Sequence, residues 1–339
     1  MREVGRPARL ADVAKAAGVS TATASYVLSG RRGQTRPAAG ETAVRIRAVA
    51  ADLGYVPNRH AQATRRGYSN AVVLALGDPG DPWGAQLTIE VQARAGQREL
   101  STLSLADETW FEFLLGFRPG VAFVTSTDFE VGGLERVEQL SDQGLNLVVF
   151  STAASADRYD VISSSAVEPT REAYVSLRRR HDHVHFLSQL EAGQHRPGPT
   201  RVMGYHQGIA ACDDLESPQL VHYAGPTRAE APGACEALLD TVSTPTAVIC
   251  STGFLADILR GAALRRGLRV PEDLEIVAIG DIPYNDSDHL GPISHYGVPD
   301  VFARIADVVV GRAVRQHEAP FVRHEFEWTF QPGATTISQ

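Results

Sequence analysis

The chain has 339 residues, 43% of them hydrophobic and 21% charged, a balance that suits a globular protein with a sizeable core and excludes a disordered one. No apolar run approaches membrane-spanning length, the charged N-terminus lacks the apolar segment of an export signal, and the odd set Cys212, Cys235 and Cys250 has no metal-ligand spacing; the expectation is a cytoplasmic protein with reduced thiols, no cofactor and no membrane partner. The formal net charge of −8 conceals a segregation, because residues 1–69 hold 12 Lys+Arg against 4 Asp+Glu, a balance of +8, and the remainder holds 20 against 36, or −16. Phosphate attraction is thereby concentrated at one end of an acidic molecule.

Residues 10–29, LADVAKAAGVSTATASYVLS, carry two short helical patterns joined at Gly18. Leu10, Val13, Ala14 and Ala17 fall at i, i+3, i+4 and i+7 and make one apolar face. Gly18 suits the left-handed turn that ends such a helix, Val19 plugs the corner, and Ser20 is placed to cap the next helix through its hydroxyl. Ala24, Val27 and Leu28 bury one side of that helix, and the small Ala14 and Ala17 allow the close crossing of a helix-turn-helix. What remains outward is Thr21, Ala22, Ser25, Tyr26 and Ser29, a surface fit for the DNA major groove. An ordinary helical hairpin would share the pattern, but not the basic charge around it.

A basic loop follows from Gly30 to Gly40, then a third amphipathic helix over Glu41 to Leu53 whose apolar side is read as Val44, Ile46, Val49, Ala50 and Leu53. Beyond Tyr55 to Asn58, the segment from Arg59 to Gly67, which contains Gln62 and Thr64, has too small an apolar face to stay helical alone, and would become a helix on DNA.

From Ala71 onward apolar strands alternate with helices. The strands expected are Ala71–Leu76, Ser101–Leu105, Val121–Val124, Leu147–Phe150, Tyr159–Ile162, Val184–Leu187, Leu220–Tyr223, Ala247–Cys250 and Ile276–Ile279, with helices such as Ala85–Arg98, Glu130–Gln143, Thr170–Arg180 and Phe254–Arg266 between them. So many strands exceed one comfortable sheet, and the pattern predicts an α/β body of two doubly wound parallel-sheet lobes with a cleft where the strand carboxyl ends meet. Glu191 to Pro199 reads as a surface loop. In the first helix of this body Trp83 is a candidate either for stacking on a ligand or for the interface between lobes.

Leu10-Ala11-Asp12-Val13-Ala14, Gly18-Val19-Ser20, Val27-Leu28-Ser29-Gly30 and Leu53-Gly54-Tyr55-Val56-Pro57-Asn58 resemble the DNA-binding head of LacI/GalR transcription regulators. The similarity continues in Arg201-Val202-Met203-Gly204-Tyr205 and in the run GLRVPEDLEIVAI from Gly267 to Ile279. The resemblance implies a helix-turn-helix head over 1–57, a hinge helix or linker over 58–69 and a periplasmic-binding-protein-like body over 70–339. The body's N-lobe is expected to hold about 70–160 and 297–325, and its C-lobe about 161–296 and 326–339. It further implies a repressor that binds a pseudo-palindromic double-stranded operator as a homodimer and senses a small-molecule effector in the cleft between lobes. On this resemblance Thr21, Ala22 and Tyr26 read bases. Ser25, Ser29, Thr42, Tyr55 and Asn58 contact phosphate or sugar, and Arg9 and Leu10 approach the backbone at the start of the first helix.

The chain also departs from the family. Tyr26 stands where the family usually has Arg, and Ala24 where it has Val, so the bidentate guanine contact is lost or replaced. Thr64 stands where a leucine commonly wedges the minor groove, and threonine is a poor wedge. In the cleft the usual acidic positions fall on Ser151, Ser164, Thr252, Gly253, Gly280 and Asp281, leaving Arg201 as the obvious polar clamp, or else as one half of an ion pair across its lobe. An ordinary hexose held in the family manner is therefore not expected. Either the ligand differs, and an anion facing an Arg201 without nearby acids is one form of that, or sensing has been lost and the body serves for dimerisation or a protein partner. The absence of heptads after Phe330 favours a dimer.

Rival chemistry has little support. Alternate histidines in His181-Asp182-His183-Val184-His185 would share one face of a strand, a possible metal set or a plain histidine cluster. There is no Gly-x-Ser-x-Gly elbow, and the sole lysine, Lys15, lies in the head, so no phosphate-binding loop has its lysine. No enzyme is expected.

Overall fold

The computed structural model describes residues 8–28, 40–55, 68–77, 82–105, 109–125, 127–190, 198, 200–225, 228–244, 246–282, 290–315 and 319–337. The chain divides into two units, Met1–Ser69 and Asn70–Gln339.

In the first unit α1 (Leu10–Ala16), α2 (Thr21–Leu28) and α3 (Gly40–Asp52) enclose a core of Val13, Ala14, Ala17, Ala24, Val27, Ile46 and Ala50. Gly18 takes φ +64°, the left-handed conformation that ends α1 at little steric cost. The Ser20 hydroxyl accepts the Thr23 amide at 3.1 Å and so satisfies one of the open donors of α2. Val19 packs into the corner against this core. The expected face of the third helix needs correction, since Val44 and Leu53 are 64% and 42% exposed. Ala43, Ile46 and Ala50 lie at i, i+3 and i+7 and face inward; Val44 lies about 100° further round the helix, and Leu53 falls beyond its last turn. Ser29, most of the expected loop, Asn58, Gln62 and Thr64 lie outside the described residues.

The second unit holds two six-stranded sheets. The first runs β11-β5-β4-β3-β1-β2, from β1 (Ala71–Ala75), β2 (Ser101–Leu105), β3 (Val121–Val124), β4 (Leu147–Phe150), β5 (Asp160–Ser163) and β11 (Arg323–Glu325). The second runs β12-β10-β9-β8-β6-β7, from β6 (Val184–Ser188), β7 (Val221–Tyr223), β8 (Thr246–Cys250), β9 (Leu274–Ile279), β10 (His295–Gly297) and β12 (Thr329–Gln331). All pairings are parallel except that of β12 with β10. Strands such as AVVLA and LEIVAI are buried throughout because helices cover both faces of each sheet. On the first sheet α4 (Pro82–Gln97) and α11 (Val301–Arg315) cover one face, and α5 (Trp110–Gly116) and α6 (Gly133–Asp142) the other. On the second, α7 (Val167–Arg178) and α8 (Arg201–Ala211) lie opposite α9 (Ala231–Thr241) and α10 (Gly253–Arg265). A side chain at Gly204 would meet the Val167 carbonyl oxygen at 2.2 Å, so glycine there lets α8 lie close on α7.

The nine expected strands are present within two residues of their bounds, but β10, β11 and β12 were not foreseen, being three residues each and weakly apolar. They matter because the chain passes between the lobes after β5, after β10 and again between β11 and β12. The first passage falls after Ser163 rather than at 160, since β5 pairs with β4 and β11 in the first sheet.

A buried ion pair holds the passages together. Arg312 of α11 and Asp160 of β5 are both fully buried. The guanidinium is bidentate on the carboxylate, with Nε donating at 2.7 Å and Nη2 closing the second bond, and it also donates to the carbonyls of Ala319 and Pro320. The Val322 amide completes Asp160 at 2.8 Å. In the second lobe fully buried Glu275 accepts from Arg180, from His181 at 2.7 Å and from the Ile337 amide; burial alone would raise its pKa, but these bonds outweigh it and hold the carboxyl below its ordinary range.

The expected histidine alternation does not form a ligand set. His181 and His183 precede β6, His181 is bonded to Glu275, and His185 meets His222 at 3.0 Å, where burial pushes the His185 imidazole down to about 4. The three thiols are free, Cys235 and Cys250 buried and Cys212 half-buried. Among the described residues no helix is long and apolar enough to cross a membrane.

Breaking the Asp160–Arg312 pair from one side strands a buried charge, so Arg312→Met should lower the unfolding free energy by roughly 3–5 kcal/mol in urea titrations. Adding Asp160→Leu should recover much of that loss. A single-variant loss below about 1 kcal/mol would show that the pair holds little.

Candidate functional site

In the head, Thr21 and Ala22 are exposed on the first turn of α2, with Ser25 and Tyr26 half-buried one turn on. Arg9 is exposed at the N-cap of α1, its amide donating to Asp12 Oδ2 at 2.8 Å, while Leu10 packs against the head core. Thr42 is half-buried on α3, and Tyr55 packs on the same core after its amide closes on the Ala50 carbonyl at 2.8 Å. The structure thus brings Thr21, Ala22, Ser25 and Tyr26 together on one short helix whose start is fixed by the Ser20 cap.

In the body a cavity of about 280 Å³ opens at the carboxyl ends of strands from both sheets. On the first lobe Asp128 accepts from the Ser151 hydroxyl and from the amide and hydroxyl of Thr152, the latter two at 2.7 Å. Trp83 lies edge-on to Phe150 at 6.3 Å and tilted to Phe302 at 5.7 Å. On the second lobe Arg201 opens α8, with its guanidinium carbon 6.0 Å from the centre of the Trp328 ring. Thr252 is the N-cap of α10 but makes no capping bond, and its buried hydroxyl has no hydrogen-bond partner among the described residues. Gly253 follows it, packed so that a side chain would strike Ile282 at 2.7 Å. Asp281 accepts the Val298 amide at 2.9 Å; burial pushes its carboxyl up to about 6, against a smaller opposing pull from Arg201. Ser164, in the first passage between lobes, accepts the Trp328 indole N–H at 2.7 Å.

Residues 9–58 match the family model for bacterial regulatory proteins of the lacI family. The sucrose operon repressor of Klebsiella pneumoniae is 29% identical over 226 residues, 62% of this chain and 63% of that protein. The HTH-type transcriptional repressor CytR of Escherichia coli (strain K12) is 23% identical over 299 residues, 81% of this chain and 80% of that protein. Among solved structures, the lac repressor dimer bound to operator and the anti-inducer ONPF superposes with a TM-score of 0.73 at 20% identity, covering 98% of this chain and all of that one. Residues 9–58 are thus a DNA-binding head of the lacI family of bacterial regulatory proteins, and the rest of the chain is similar to regulators of that family. The protein is a DNA-binding transcriptional regulator.

Within the body the cleft gathers every residue expected of it: Trp83, Ser151, Ser164, Arg201, Thr252, Gly253 and Asp281 all line the cavity. Their surroundings correct three expectations. Arg201 does have an acid near it, since its charge acts on Asp281. Ser151 is occupied with Asp128, a lining carboxylate that sequence reasoning missed although it closely follows β3. Trp83 packs within the first lobe, and the aromatic that touches the cores of both lobes is Trp328. The only sequence signal for Trp328 is its place in the aromatic run Phe326-Glu327-Trp328, which belongs to no regular element.

Asp281 gives a pH signature with a definite sign. An acid whose folded pKa lies near 6 against about 3.9 unfolded destabilises the fold at high pH; the penalty is absent below about 4 and complete above about 6. Asp281→Asn should therefore raise the thermal midpoint at pH 7.5 and leave it nearly unchanged at pH 4. An equal shift at both values would show that the carboxyl does not titrate as assigned.

Proposed function

We propose that the protein is a repressor that binds a pseudo-palindromic operator as a homodimer, one head per half-site, and that occupancy of the body's cleft by a small molecule alters that binding. The observation that carries this reading is the face of α2, Thr21, Ala22, Ser25 and Tyr26, set in a head of net charge +8 on an otherwise acidic chain. Arginine charge supplies attraction to phosphate without sequence preference, and the α2 face supplies the preference. Tyr26 contributes a hydroxyl and a ring where an arginine fork would read guanine, so the operator should differ there from family members that keep arginine. Ala22 reads by fit and by contact with a thymine methyl. The DNA contacts assigned to Arg9, Leu10, Thr42 and Tyr55 surround this face and set its register. The open cavity favours a ligand-responsive body over one that only dimerises.

Selection from a random duplex pool with the purified full-length protein is expected to recover a palindrome with half-sites about one helical turn apart; failure to recover any motif would contradict the reading. Tyr26→Ala should cost on the order of 1–3 kcal/mol on the recovered site and relax preference at one base pair per half-site. An equal loss on random duplex would assign Tyr26 to the backbone instead.

A further inference from the structure

We infer that the cleft's ligand is a small amphipathic anion, an apolar or aromatic monocarboxylate, whose acid group is held in the second lobe by Arg201, Thr252 and the open N-terminus of α10 while its apolar body lies against Trp83 and Phe150 of the first. The inference deepens the ligand-responsive reading above and rests on it.

Hydrogen-bond donors crowd the second-lobe wall. Thr252 is 7% exposed and lines the cavity as the N-cap of a 13-residue helix, yet its hydroxyl neither caps that helix nor meets any described residue. The first amides of α10 are therefore left without a side-chain cap, at the positive end of the helix dipole. Beside them the oxygens of Ser251 and Ser188 already accept the amides of Gln189 and Leu190, which leaves each hydroxyl its proton to give. Arg201 adds a full positive charge on the same wall. Such a surface is rich in donors and carries a full positive charge, which suits a carboxylate.

The two carboxylates that line the cavity do not overturn this. Both oxygens of Asp128 are bonded to Ser151 and Thr152. Asp281 accepts the Val298 amide and is acted on by the Arg201 charge, which offsets part of its own. The first-lobe wall around Trp83, Phe150, Phe129 and Leu76 offers an apolar surface for the body of such a ligand. A cavity of about 280 Å³ has room for such a ligand.

The test is calorimetric titration of the full-length protein with benzoate and phenylacetate, with neutral benzamide and with glucose, alongside its affinity for the selected operator. At least one carboxylate should bind and raise the thermal midpoint, with benzamide at least tenfold weaker and glucose inert. Arg201→Gln should weaken the carboxylate at least tenfold without changing benzamide, and Thr252→Val, a near-isosteric change that keeps the fold, should weaken it several-fold. Binding of neither carboxylate, equal binding of benzamide, preference for glucose, or carboxylate affinity indifferent to both substitutions would overturn the inference. If specific operator binding persists while the carboxylates fail, only this inference falls; if no operator is recognised, the regulatory reading falls with it.

Discussion

Asp160 and Arg312 face each other with no exposure to solvent, and the placement of the cleft descends from that contact. Charges so deep in a protein are tolerated only when hydrogen-bonded, and here the carbonyls of Ala319 and Pro320 accept from the guanidinium, the Val322 amide donates to the carboxylate, and Asn146 donates to the Arg312 carbonyl at 3.3 Å. The effect is to fasten the end of α11, Ala319 and Pro320 beside β5, so that β11 pairs with β5 in register Arg323 to Val161. Two strands fixed side by side send their continuations across to the other lobe side by side. Ser164 after β5 and Trp328 after β11 therefore meet, and the indole N–H closes on the serine hydroxyl.

Trp328 carries the consequence into the cleft. Its ring touches the cores of both lobes, and Arg201 lies against it at the mouth of α8. The position of the one cationic side chain the sequence singled out is thus set by an ion pair in the other lobe, through two crossing segments. Around Arg201 the ends of β6 and β8 supply the hydroxyls of Ser188 and Ser251, each of which accepts a nearby amide, and α10 begins without a side-chain cap. Polar groups that would be a cost in an ordinary loop become a complementary surface when a ligand is present. The head follows a different logic: its small core and the Ser20 cap leave Thr21 and Ala22 exposed on α2, and on the reading proposed above the head's net positive charge attracts DNA without choosing the sequence.

Much of this was legible in the residues. The period of Leu10, Val13, Ala14 and Ala17, the glycine at 18 and the serine at 20 fixed the head, because each is a local rule that tertiary packing did not override. Continuous apolar runs such as AVVLA announced strands covered on both faces. What could not be read were β10, β11 and β12, whose three-residue patterns carry no period and which exist because of their neighbours. Val44 was misplaced because α3 has enough alanine for two adjacent faces to look apolar. Asp128, Trp328 and the Asp281–Arg201 proximity join residues from 23 to 164 positions apart, and no local spacing reports such meetings. The resemblance directed attention to Ser151 and Thr252 by position, yet only the structure shows that one is occupied by Asp128 and the other lacks a partner.

The central claim is that attraction and discrimination are separate properties of the head. It is tested most directly by measuring affinity for the selected operator and for a scrambled duplex of equal length between 50 and 200 mM salt. Both should weaken with steep logarithmic slopes, and the operator should retain at least about a thousandfold advantage where scrambled binding has collapsed. Parallel loss of both, with no residual preference, would mean that the basic charge accounts for all the binding and that the α2 face reads nothing.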